Sequence, residues 1–138
     1  MPIFEPSIGA DRALAILRIV AGAMFVTSGT TTIFGYPAVP GAHTAFNLAS
    51  QSGVGAVLQV FGGLAIVLGL FTRPVAFVLS GEMAVAYFQF HFPRSFFPTV
   101  NQGTPAVLYC FIYLYLSFAG AGAWSVDRRL GGRRPRRW

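Results

Sequence analysis

Four apolar stretches, each about twenty residues long, run through the chain and are separated by short breaks rich in proline, glycine and polar residues. The stretches cover about residues 13–34, 54–71, 74–92 and 105–123. A helix rises ~1.5 Å per residue, so about 20 residues cross the ~30 Å hydrocarbon core of a bilayer. Each stretch meets or approaches that length, and the pattern predicts an all-α integral membrane protein, an antiparallel four-helix bundle. Residues 61–92 form its central hairpin, two apolar runs on either side of Thr72-Arg73-Pro74. A break that short permits only an antiparallel return, and Pro74 suits the first turn of the helix that follows.

The ends and breaks are read the same way. Asp11 is the expected N-cap of the first helix, and Thr104-Pro105 the cap and first position of the fourth. The longest break, 35–53, carries Pro37, Pro40 and Gly41, and its 43–51 piece reads as a short interfacial helix. The second half of the first span holds Thr27, Ser28, Thr30, Thr31 and Thr32, hydroxyls expected to face protein or a hydrated cavity. Residues 1–123 are the expected transmembrane domain, and 124–138 an Arg-rich cytoplasmic tail leaving the membrane.

Composition agrees: 54% of residues are hydrophobic and 10% charged, where a soluble domain carries about 25% charged residues. The net charge of +6 points to a membrane surface and not to nucleic acid, because six arginines crowd the last eleven residues while the helical body is nearly uncharged. With four crossings, Arg12, Arg18, Arg73, Arg128, Arg129, Arg133, Arg134, Arg136 and Arg137 share one side and Arg94 stands alone on the other. The positive-inside rule then puts both termini in the cytoplasm, in a bacterial inner membrane. The tail arginines and Arg73 are expected to meet anionic lipid. Cys110 is the single cysteine, so no internal disulfide or CxxC site exists, and it reads as an inert buried thiol.

Glu82 is the one carboxylate inside the apolar body. A charge there must be protonated, paired or hydrated, and Arg18 is the expected partner. Two readings stay open for the pair: a lock between helices, or a proton-relay or substrate-anchoring acid. Glu82, Ala86 and Gln89 share a helical face; Gln59 with Gly62 and Gly63, and Arg18 with Gly22 and Gly29, offer two more. Such faces form either a packing seam or a narrow hydrated pocket. Tyr109 and Tyr113 share a face of the fourth span and are within range of Glu82 or a quinone carbonyl. His43 and His91 are expected near the outer surface, and no metal-ligating set is evident.

The segments LRIVAGAMFVTSG, GGLAIVLGLFTRPVA, EMAVAYFQFHFP, the NQG–A–LY entry to the fourth span and the exit GAGAWSVD together resemble the DoxX family of small four-helix bacterial membrane proteins. The resemblance implies a quinone or thiol-redox setting and association with membrane oxidoreductases. It departs at Asn101-Gln102-Gly103-Thr104, where the family often has an acidic residue, and at the end of the first span, where a common Lys is replaced by threonines. The leading expectation is an accessory, non-catalytic subunit of a respiratory or redox membrane complex, joined to other subunits or to copies of itself. The alternatives are a quinol-binding oxidoreductase subunit, with Glu82 taking the proton and Gln89 or Tyr109 holding the carbonyl, and a small transporter or lipid-binding protein. The candidate ligand-binding residues are therefore Arg18, Gln59, Glu82, Gln89 and Tyr109, with quinone the candidate ligand.

Overall fold

A computed structural model describes residues 7–41 and 46–131. Those residues are helical wherever they are regular, and no strand occurs among them. Helix α1 spans Ile8–Phe34, α2 Gln51–Leu68, α3 Thr72–Ala86, α4 Thr104–Ala119 and the short α5 Val126–Leu130. Helix α3 runs on without a break into a π turn, Tyr87–His91.

The helix ends explain where the expected boundaries moved. Helix α1 begins before Asp11 because Ser7 is its N-cap, its Oγ accepting from the Ala10 N–H at 3.1 Å; Asp11 sits in the first turn. Helix α2 is capped by Ser50, which accepts from the Gly53 N–H, so most of the piece expected as an interfacial helix is instead the approach to α2. The remainder, including His43, lies outside the described residues. Helix α2 stops at Gly69 (φ 68°), whose left-handed backbone lets the Gly69 and Leu70 amides bond back to Ile66 and Ala65. Helix α4 ends at Ala119, short of the expected 123, because the chain turns back through Gly120.

Packing is tightest between α1 and α2. A Cβ on Gly22 would lie 2.8 Å from the Gly63 carbonyl oxygen, and one on Gly29 would lie 2.6 Å from that of Ala56. Both contacts are backbone on backbone, reachable only without side chains. As α1 is followed from 22 to 29, α2 runs from 63 to 56, so the two are antiparallel. Ala21 and Phe25 of α1, Ile66 of α2, Ala76, Leu79 and Met83 of α3, and Ala106, Tyr113 and Leu116 of α4 form one buried cluster. Phe25 packs against Tyr109 and Tyr113, with ring centroids 4.9 and 4.6 Å apart, and the Tyr113 hydroxyl donates to the Ala21 carbonyl at 2.9 Å.

The exterior is more apolar than the interior is large. Phe61 of α2, Phe77 of α3, and Phe111 and Phe118 of α4 stand out, each more than 60% exposed, while Arg18, Thr72, Ser80 and Asn101 are buried. Apolar cover around a polar-containing interior is the arrangement lipid demands and water penalises. Helices α1 and α2 are each long and apolar enough to cross a membrane.

Candidate functional site

The expected Arg18–Glu82 pair does not form. Arg18 is fully buried near the Gly69 end of the molecule, where its Nη1 donates to the carbonyls of Ile66 (2.8 Å) and Val67 (2.7 Å). Its Nη2 donates to those of Ala123 (3.2 Å) and Trp124 (3.0 Å). Ile66 and Val67 are the last turn of α2, whose carbonyls have no partner within the helix and carry the negative end of its dipole. A planar, permanently charged fork is suited to that ring of acceptors. Glu82 is bonded to Gln59, seven residues up α2 from Ile66, or ~11 Å of helical rise away.

The segment after α4 also differs from a free tail. Residues 120–131 fold back under the helices, giving Arg18 two of its four acceptors. Asp127 then accepts from the backbone amides of Phe71 and Thr72, each at 2.8 Å. Helix α3 has no cap of its own, since Phe71 at its N-cap makes no side-chain bond. Asp127 supplies one from 55 residues away, using two of the donors a helix start leaves open. Arg128 is ion-paired with Asp11 of α1. Sequence reasoning missed this role of Asp127. The signal available was the absence of a Ser, Thr, Asn or Asp just ahead of Thr72.

The second polar centre is a groove of about 510 Å³ between α1, α2 and α3, within the ~300–1,000 Å³ typical of small-molecule sites. Ser28 and Thr32 of α1, Gln51, Ser52 and Gln59 of α2, and Glu82 of α3 supply its polar lining, and residues such as Val54, Leu58 and Val85 its apolar walls. Gln59 donates from Nε2 to Glu82 Oε1 at 2.8 Å. Glu82 Oε2 is buried with no hydrogen-bond partner among the described residues. Gly55 makes room for the carboxylate: a Cβ there would lie 3.0 Å from Oε1.

Of the candidate ligand-binding residues, only Gln59 and Glu82 meet. Gln89 does not line the groove; Phe90 does. The wider i→i+5 turn rotates each residue by less than an α turn, so the face through Glu82 and Ala86 is regained one residue later than an unbroken helix places it. Tyr109 donates to Met24 Sδ at 3.1 Å, away from Glu82. Ser28 and Thr32 bear out a cavity-facing role for part of the Thr-rich run. The threonine hydroxyls, that of Thr32 included, donate to carbonyls: Thr27 to Met24, Thr30 to Thr27, Thr31 to Pro37 and Thr32 to Ser28. Gln51, Ser52 and Gly55 went unnoticed because nothing local marks them.

The remaining candidates are scattered. Arg73, Arg128 and Arg129 are exposed at the Gly69 end, and Arg133, Arg134, Arg136 and Arg137 lie outside the described residues. His91 faces the Asn101 carbonyl through Nδ1 at 3.1 Å; a carbonyl only accepts, so Nδ1 carries the proton. Asn101, itself buried, ties the loop before α4 by donating to the Ser95 carbonyl and accepting from the Gly103 N–H, both at 2.7 Å. Among the described residues no three His, Cys, Asp or Glu side chains come together as a metal site would need.

Comparison with known proteins supports the resemblance. The DoxX family model matches residues 13–92, which include α2, α3 and both partners of the Gln59–Glu82 bond. An uncharacterized protein of Haemophilus influenzae is 41% identical over 120 residues, spanning 84% of this chain and 89% of its own. No solved structure matches.

Proposed function

The chain belongs to the DoxX family, and from that premise we propose that it is a multi-pass accessory subunit of a respiratory or redox complex in the bacterial inner membrane, holding a quinol-type ligand in the Glu82 groove. Support for four crossings comes from length. Helix α3 and its π turn together make 20 continuous helical residues, Thr72–His91, and α4 adds a fourth apolar rod. The arginine distribution supports cytoplasmic termini. The Arg-rich end then rests on anionic headgroups, each cation there contributing about 1 kcal/mol.

The observation that carries the ligand reading is Glu82, which lines the groove and whose buried Oε2 has no hydrogen-bond partner among the described residues. A carboxyl group so placed seeks a hydrogen bond, and a quinol hydroxyl supplies the donor while Gln59 holds the other oxygen in position. Apolar groove walls suit the rest of a lipid-soluble ring. Electrons leaving the quinol pass to a redox centre of a partner subunit in this scheme.

Quinone extraction from protein purified in mild detergent tests the site. Under reducing conditions wild-type protein is expected to retain quinol, and Glu82→Gln, which keeps the shape and the Gln59 bond, to retain about ten-fold less, the effect of losing one strong hydrogen bond of ~1.5–3 kcal/mol. Equal retention by both proteins would sink the ligand reading. Haem- or flavin-containing polypeptides are expected to co-purify; a consistently solitary protein counts against the accessory role.

A further inference from the structure

We propose that the Glu82 groove is a one-sided aqueous vestibule: water and protons reach Glu82 from the end of the molecule opposite the Arg73 turn, and a hydrocarbon floor stops them there. The inference rests on the reading of this groove as the working site, and adds the side from which it is served.

The polar lining is graded along the helices. Gln51 and Ser52 lie in the first turn of α2, Thr32 in the last turn of α1 and Phe90 in the π turn, all at the end away from Gly69–Phe71. From Gln51 to Gln59 the wall descends eight residues, ~12 Å of helical rise, with Ser28 on the facing helix. Glu82 and Gln59 mark its depth. A volume of about 510 Å³ has room for several waters, each taking ~30 Å³ in the liquid.

Just past that level the character changes. Leu79, one turn before Glu82, is packed against Gly62, where a Cβ would come within 2.9 Å of its Cδ2. Ile66, Ala76, Phe25 and Tyr113 continue the seal, all at most 3% exposed. Two polar side chains within it are engaged, Tyr113 donating to the Ala21 carbonyl and Ser80 to that of Cys110 at 2.8 Å; Thr72 Oγ1 and Arg18 Nε, nearer the Gly69 end, are buried without a partner among the described residues. Beyond lies Arg18, with both terminal nitrogens committed to carbonyls. A dry constriction of this kind excludes water and stops proton transfer. A proton leaving a ligand hydroxyl for Oε2 would therefore depart through groove water to one aqueous phase only.

Cysteine accessibility in a Cys110→Ala background tests this without any ligand. Glu82→Cys, Gln59→Cys, Ser52→Cys, Ala76→Cys and Arg73→Cys are placed singly in sealed vesicles of known orientation and treated with a membrane-impermeant thiol reagent on one side at a time. Ser52→Cys and Glu82→Cys are expected to react at least ten-fold faster from one side, Arg73→Cys from the other, and Ala76→Cys from neither. Gln59→Cys, across the groove, reads the same depth should Glu82→Cys fail to accumulate. Reaction at the Glu82 depth from the Arg73 side, from both sides, or from neither while Ser52→Cys reacts would overturn the proposal. Because Arg73→Cys marks its own side, the result does not depend on which end is cytoplasmic. A failed vestibule and a failed ligand site are told apart because quinone retention is measured separately.

Discussion

Arg18 carries four donor bonds to backbone carbonyls in a place where lysine would fit by length and charge. An ammonium has three donors and no planar fork, so it cannot serve two carbonyl pairs on opposite sides. Arg18→Lys is expected to leave at least one buried carbonyl unmet and cost about 1–3 kcal/mol, read as a lower thermal midpoint in detergent. Unchanged stability would mean that the carbonyls find other donors. Asp127 acts on the same junction. Asp127→Ala should cost ~0.5–2 kcal/mol, as loss of a cap does, with faster hydrogen exchange at the Phe71 and Thr72 amides as its local signature. Glu82 differs from both, since its Oε2 makes no hydrogen bond among the described residues. Glu82→Gln is therefore expected to leave the thermal midpoint within ~0.5 kcal/mol of wild type while ligand retention falls.

Among the elements, the α1–α2 pair is defined by what its glycines lack. Gly29→Ala drives a methyl group to within 2.6 Å of the Ala56 carbonyl, and backbone in a packed helix cannot yield cheaply. A loss of about 1–3 kcal/mol is expected, as for other overpacked interfaces. Gly81→Ala is the control: a Cβ there meets nothing within 4 Å, and alanine's helix preference predicts neutrality or a gain of up to ~1 kcal/mol. Thermal midpoints of the two proteins in one detergent check both. If they move together, the close approach of α1 and α2 is not what holds the pair. The π turn is the element least legible beforehand. Nothing in YFQFH announces it, yet it moves Gln89 off the groove face and puts Phe90 on it.

At the scale of the molecule, two polar centres sit at different depths of an apolar body. The Arg18–Asp127 junction ties α2, α3 and the returning 120–131 segment into one end, and the groove opens at the other. A reporter active only in the cytoplasm, fused at the C-terminus and separately within 97–102, is expected to be active in the first fusion and silent in the second. The reverse result would invert the proposed topology.

The helices were legible because apolar length and prolines act within a few residues of where they are written, while several of their limits moved: α1 starts at Ile8 and not at 13, and α2 stops at Leu68 and not at 71. The Thr72-Arg73-Pro74 return, the Pro105 start and the apolar runs are local facts, and so is the oddity of one carboxylate and one arginine in apolar runs. Which of those charges meet is not local. Arg18 and Glu82 looked like partners because opposite charges in lipid must be compensated and both lie within reach of one membrane face. The folded chain compensates them separately, Arg18 with the open carbonyls of a helix end and a returning loop, Glu82 with Gln59 and a groove. A guanidinium can be satisfied by backbone, and no side-chain pattern records where spare carbonyls will gather. Only the tertiary packing of α2 against the 120–131 segment decides that, because those carbonyls become neighbours only when the chain has turned back.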